Sequence, residues 1–164
     1  MKISIIAALD ENRLIGTGSG IPWELPRDRQ HFRDSAAGMA MLLGRRTFEE
    51  MHGWFTDQRP IVLTRQADYR TDPGVCVVGS IEAALDEARG RGESELLVAG
   101  GADVYALALP FADQLILTEV ESAFRGGAYF PEFSMVEWQE VSRERFVADA
   151  EHAQAMSFVT YRRR

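Results

Sequence analysis

Several things are scarce in this 164-residue chain, and each scarcity narrows what the chain can be. Cys76 is the only cysteine, so no internal disulfide can form, and the sequence fits a reducing compartment. No apolar run approaches the roughly 20 residues that a membrane-spanning helix needs. The opening MKISIIAALDENR passes from apolar to charged without a small-residue cleavage site, so the expected location is the cytoplasm. Positive charge is short as well: the formal net charge is −7, the sequence pI is near 5.0, and Lys2 is the only lysine. A basic face supplies most of the affinity in nonspecific nucleic-acid binding, so this balance argues against such a partner, and an anionic ligand needs a local basic cluster. Metal spacing is missing too. His31, His52 and His152 are scattered, and Cys76 sits in an apolar strand without a basic neighbour, so neither a metal nor a reactive thiol is expected. Repeats, low-complexity stretches and linkers are absent. One domain over residues 1–164 is expected, with 46% hydrophobic content to fill one core. A monomer is expected because no long apolar stripe is left over once the helices face inward.

What is present is an alternation. Apolar, β-rich runs lie at 3–9 (ISIIAAL), 39–44 (MAMLLG), 60–64 (PIVLT), 75–78 (VCVV), 95–100 (ELLVAG) and 114–120 (QLILTEV). Helix-length segments fall between them, near 26–36, 47–53, 80–89 and 102–109. Such alternation predicts a mainly parallel sheet covered by helices on both faces. After residue 120 the helical segments stop. AYFPEF reads as loop, and WQEVSRERFV with AMSFVTYRR reads as an antiparallel strand pair closing one sheet edge.

The stretch IPWELPRDRQHFRDSA, residues 21–36, contains an awkward carboxylate. Pro26 pre-sets a first helical turn, and Leu25, Asp28, Phe32 and Ala36 then fall near one stripe, so Asp28 shares its face with apolar residues. An acid in a first turn also favours the helix dipole, and both readings stand at this point. Elsewhere, strand ends carry groups suited to anions. GRRTFEE has the capping-box pattern at Thr47 and Glu50, with Arg45 and Arg46 beside it. VAGGADVY places Gly100 and Gly101 between a strand and a helix, and PIVLTR ends with Thr64 and Arg65. These are strand C-termini, where open α/β sheets bind ligands. GTGSG at 16–20 fails the dinucleotide fingerprint in spacing and context, and a mobile glycine loop is expected there. Arginines at 45 and 46, where an NAD-binding acid would stand, favour the extra 2′-phosphate of NADP.

Taken in order, ISIIAALDENRLIG, IPWELPRD with Phe32, GRRTFE, IVLTR, VAGGADVY, LTEV and YFPEF resemble the dihydrofolate reductases over essentially the whole chain. The resemblance implies a dihydrofolate reductase-like α/β fold: a central, mostly parallel eight-stranded sheet with a C-terminal antiparallel hairpin and four flanking helices. It implies NADPH-dependent reduction of 7,8-dihydrofolate to tetrahydrofolate, and binding of antifolates. By the same resemblance Asp28 grips the amino-pyrimidine edge of the pterin, Thr118 hydrogen-bonds to it, and Trp23 completes the catalytic group. Ile6, Ala7, Ala8 and Phe32 line the cavity, and the loop near 10–24, with Ile15, Gly16, Ile21 and Trp23, closes over the nicotinamide. Arg45, Arg46, Thr47, Thr64 and Arg65 hold the phosphates, with Ala99, Gly100, Gly101 and Tyr105 along the middle of the cofactor. Burial raises the pKa of Asp28 while Arg27 and Arg29, if turned inward, lower it, and a net rise is expected.

Three positions depart from the family pattern. Arg29 replaces an apolar residue beside the acid, and Gln58 followed by Arg59 stands where an arginine takes the α-carboxylate of the substrate. Arg29 or Arg59 is expected to supply that cation, and Arg29 to weaken trimethoprim-type inhibitors. Gly127 replaces an acid that ties the glycine loop shut, so loop closure is expected to be less stable. The rival readings are a pyrimidine reductase of riboflavin synthesis, which lacks the Pro-Trp-helix acid, a broad-specificity pterin reductase, and a noncatalytic nucleotide-binding module in which Asp28 is a mere cap.

Overall fold

The computed structural model describes residues 1–17 and 19–164. Strand β1 (Lys2–Leu9) lies inside the sheet between β6 (Glu95–Val98) and β7 (Gln114–Val120), parallel to both. A strand covered on both faces has to be apolar throughout, which is why ISIIAAL shows no alternation. Strands β3 (Ala40–Gly44), β4 (Arg59–Leu63) and β5 (Cys76–Val78) extend the parallel part. On the other side β10 (Met156–Arg163) runs antiparallel to β7, and β9 (Trp138–Phe146) pairs with β10. The order is β5-β4-β3-β6-β1-β7-β10-β9, eight strands, mostly parallel, closed by the expected antiparallel hairpin.

Among the described residues four α-helices cover the sheet: α1 (Pro26–Ala36), α2 (Arg45–Glu50), α3 (Ile81–Gly90) and α4 (Ala102–Ala108). Alternate residues of β1 divide the core. Ile3, Ile5, Ala7 and Leu9 pack with Ala84 and Leu85 of α3 and Val104 of α4, whereas Ile6 packs with Ala36 of α1 and Phe48 of α2. No helix among the described residues is long and apolar enough to cross a membrane.

The sequence signals succeed or fail for local reasons. Pro26 opens α1 as expected, and Ser80 caps α3, its Oγ accepting from the Ala83 amide at 3.1 Å. The capping box at Thr47 and Glu50 is a correction: α2 starts two residues earlier, with Gly44 at the N-cap and no side-chain cap. The turn follows directly on β3, so Thr47 falls inside the first turn and its hydroxyl is free to face the glycine pair. AYFPEF also contains more than loop, because β8 (Ala128–Tyr129) pairs with a short β2 (Leu14–Gly16).

Candidate functional site

Asp28 sits in the first turn of α1, between buried Leu25 and half-buried Phe32. Opposite it, Thr118 on β7 is 2% exposed and pairs in register with Ala8 on β1. The Thr118 Oγ1 hydroxyl donates to Asp28 Oδ1 at 2.6 Å, so one carboxylate oxygen is held and the other remains available. Burial pushes the Asp28 carboxyl above its ordinary range. The Thr118 hydrogen bond, His31 and Arg29 pull it back without cancelling that rise. Arg27 takes no part, since its guanidinium lies 4.4 Å above the Phe146 ring instead of turning inward.

The walls follow from the sheet pleat. Ile6 and Ala8 face α1, but the Ala7 side chain packs in the opposite layer, so Ala7 can offer this face only main chain. Phe32 leans on Trp54 with ring centroids 5.2 Å apart, and the Arg33 guanidinium lies 4.5 Å above Trp54. Arg33 was not singled out from sequence, yet it stands one helical turn beyond Arg29 beside the Phe32 wall. Arg29 is largely exposed, with Glu24 at 3.9 Å.

Gln58 and Arg59 both have partners within the protein. Arg59 forms a bidentate pair with Glu93, its Nε and Nη2 each donating at 2.7 Å, and buried Gln58 accepts from the Thr56 amide at 2.8 Å within its own turn. Arg59 begins β4, where a step of one residue points a side chain to the other face of the sheet.

At the cofactor end the ends of β3, β4 and β6 converge. The Gly44 amide donates to the Gly100 carbonyl at 2.8 Å, which locks the two turns together. Gly100 has φ +112°, and a Cβ there would stand 3.2 Å from the Tyr105 hydroxyl; a Cβ on Gly101 would meet Thr47 Oγ1 at 3.4 Å. Only glycine leaves this main chain bare for close approach. Buried Tyr105 works from beneath: its hydroxyl donates to the Ile6 carbonyl at 2.8 Å, and burial raises its pKa well beyond the usual range. Ala99 is buried next to the glycine pair. Arg45 pairs with Glu49 at 3.1 Å, whereas Arg46 and Arg65 are exposed and make no ion pair among the described residues. Thr64 Oγ1 accepts from the Gln66 amide at 3.1 Å and shapes the turn that presents Arg65. A bare glycine cradle flanked by uncommitted arginines fits a dinucleotide diphosphate with one further phosphate.

The loop between β1 and α1 is anchored by a residue that sequence reading missed. Asp10 is 4% exposed, and its carboxylate accepts from the amides of Asn12, Leu14 and Phe124 at 2.8, 2.9 and 2.7 Å. Trp23 packs with Leu14, Leu25 and Val120, its ring 6.3 Å from Phe124, while Ile15 is half-buried and Ile21 is 65% exposed. The expected mobile glycine stretch 16–20, of which residue 18 lies outside the described residues, includes a backbone pair between Thr17 and Gly20. At Gly127, which has φ +146°, a Cβ would fall 1.9 Å from the Gly16 carbonyl oxygen. No side chain fits there. In place of an acidic anchor, main chain packs directly on main chain and Gly16 pairs with Ala128.

A family model described as dihydrofolate reductase matches residues 2–163. The chain is 39% identical to the type 3 dihydrofolate reductase of Salmonella typhimurium, over 99% of both chains. It is 35% identical to the dihydrofolate reductase of Bacillus subtilis, covering 99% of this chain and 95% of that one. Among solved structures, Enterococcus faecalis dihydrofolate reductase complexed with NADP(H) and RAB-propyl superposes with a TM-score of 0.88. Identity there is 33%, and the match covers 99% of this chain and 96% of that one.

Proposed function

The chain belongs to the dihydrofolate reductase family, and from that premise we infer that Asp28 is the acid that holds and polarises the substrate. The enzyme catalyses NADPH-dependent reduction of 7,8-dihydrofolate to 5,6,7,8-tetrahydrofolate. NADPH, when bound, supplies the hydride that reaches C6 of the pterin; N5 gains a proton from water. The observation that carries the assignment is the Thr118–Asp28 hydrogen bond of 2.6 Å on a carboxyl whose pKa is raised by burial. With one oxygen held by Thr118, the other faces the amino-pyrimidine edge and favours the protonated ring. A raised pKa lets the Asp28 carboxyl take up and release a proton closer to neutral pH. Ile6, Ala8 and Phe32 exclude water from the reacting face, and Trp23 backs the loop that closes over it.

For the cofactor, Gly100 and Gly101 approach the diphosphate, Tyr105 supports them from below, and Thr47, Thr64, Arg46 and Arg65 surround the phosphates. Arg45 joins them on leaving Glu49. For the substrate, Arg29 and Arg33 meet the glutamate carboxylates, because Arg59 is committed to Glu93. One chain supplies every group in this scheme, so the active unit is a monomer. The test is the fall in nicotinamide absorbance when NADPH and dihydrofolate are mixed with the enzyme, with NADH in parallel. Turnover with NADPH that far exceeds turnover with NADH, and that is lost in Asp28→Asn, is expected. Full activity of Asp28→Asn would overturn the role of the acid.

A further inference from the structure

Helix α1 begins without a side-chain cap of its own: Leu25 stands at the N-cap, and Pro26 has no N–H. The first amide the helix can offer is that of Arg27, and it donates to Nε2 of His152, 125 positions later in the chain, at 3.1 Å. His152 is 4% exposed, and its Nδ1 lies 2.8 Å from Asp149 Oδ1. An amide can only donate, so Nε2 carries the lone pair and the ring proton sits on Nδ1, donated to Asp149. Backbone bonds between Asp149 and His152, at 2.9 and 3.3 Å, close the loop and fix the direction of the imidazole. The same hairpin also takes the Arg27 side chain, stacked over Phe146 at the end of β9. The residue preceding Asp28 is therefore clamped twice to the β9–β10 hairpin, while Asp28 itself is held to β7 through Thr118.

We propose that His152, as a neutral imidazole, is a positioning residue for hydride transfer: it caps the start of α1 from the far end of the chain and so aims the Asp28 carboxylate at the pterin. The proposal rests on the reading of Asp28 as the substrate-binding acid. A displaced first turn would carry that carboxylate off its line to Thr118 and the substrate, and misplacement by about 1 Å at a reacting site can cost up to about a hundredfold in rate.

The test measures hydride transfer in a single turnover, and NADPH affinity separately. His152→Phe keeps a flat ring but no acceptor. It is expected to slow hydride transfer about tenfold with NADPH affinity unchanged. His152→Gln, whose amide oxygen can reach the place of Nε2, is expected to recover most of that rate. A Phe variant as fast as wild type overturns the proposal, and so does a loss of rate and NADPH affinity together in both variants, the mark of a merely structural role. Should His152→Phe not fold, nitrogen NMR of the unaltered protein decides. Protonated Nδ1 with bare Nε2 at neutral pH supports the clamp, and the opposite tautomer or a doubly protonated ring overturns it. Wild-type protein inactive on dihydrofolate would instead bring down the reading of Asp28, and the proposal with it.

Discussion

At the cofactor end, Gly44, Gly100 and Gly101 follow their own strands directly, and the bond that joins the two turns runs through main chain. At the acid end, Asp28 reaches Thr118 across 90 positions, side chain to side chain, and the Arg27 amide of its helix reaches the His152 ring across 125. The first kind of site depends on what is missing, a Cβ. The second depends on which polar atom is present. The two ends should therefore fail differently.

The largest effect is expected from Asp28→Asn, which should lower turnover at neutral pH by about 10²–10⁴-fold and leave NADPH affinity intact. A matching loss of NADPH affinity would erase the distinction between the ends. The same variant makes a stability prediction. Because the folded-state pKa is raised, ionising Asp28 costs stability as pH climbs from the ordinary value of 3.8 through the raised one. Asp28→Asn should then melt higher than wild type at neutral pH, with the gap closing in acid below that value.

Next comes Gly100→Ala, which forces a side chain into a positive-φ position 3.2 Å from Tyr105. Strain of about 1–3 kcal/mol should weaken NADPH binding about 10- to 100-fold without moving the pH dependence set by Asp28. Thr118→Val removes the hydroxyl that lowers the Asp28 pKa. Turnover should fall about tenfold, and the decline of rate with rising pH should shift to higher pH. A shift toward lower pH would contradict the assigned hydrogen bond. The smallest effects belong to the rim. Arg29→Leu and Arg33→Leu should each raise KM for dihydrofolate by roughly fivefold, about 1 kcal/mol for an exposed ion pair. Arg29→Leu should also tighten trimethoprim-type antifolates. Arg59→Leu should leave KM unchanged, since its partner is Glu93.

The same contrast explains what could be read beforehand. The Leu25, Asp28, Phe32, Ala36 stripe and the glycine pair are local patterns of helical spacing and chain turning, and both are found where expected. The capping box at Thr47 misled because a strand running straight into a turn supplied the helix start instead. Asp10 and Arg33 carried no motif at all. Their importance comes from amides and a ring brought to them by folding. Metal-ligand spacing says nothing of His152, because its partner is a main-chain amide that no spacing rule describes.

The amino-acid order alone determined the alternation of strands and helices, the antiparallel closure and the glycine turns, because each depends on periodicity or backbone freedom within a few residues. Only the tertiary structure decided that Arg59 serves Glu93, that Ala7 points away from the acid, that Gly127 meets Gly16 through bare backbone, and that His152 holds the first turn of α1. Those choices depend on which face of a strand a side chain takes and on which distant atoms fold within hydrogen-bonding range, and neither is written in the local pattern.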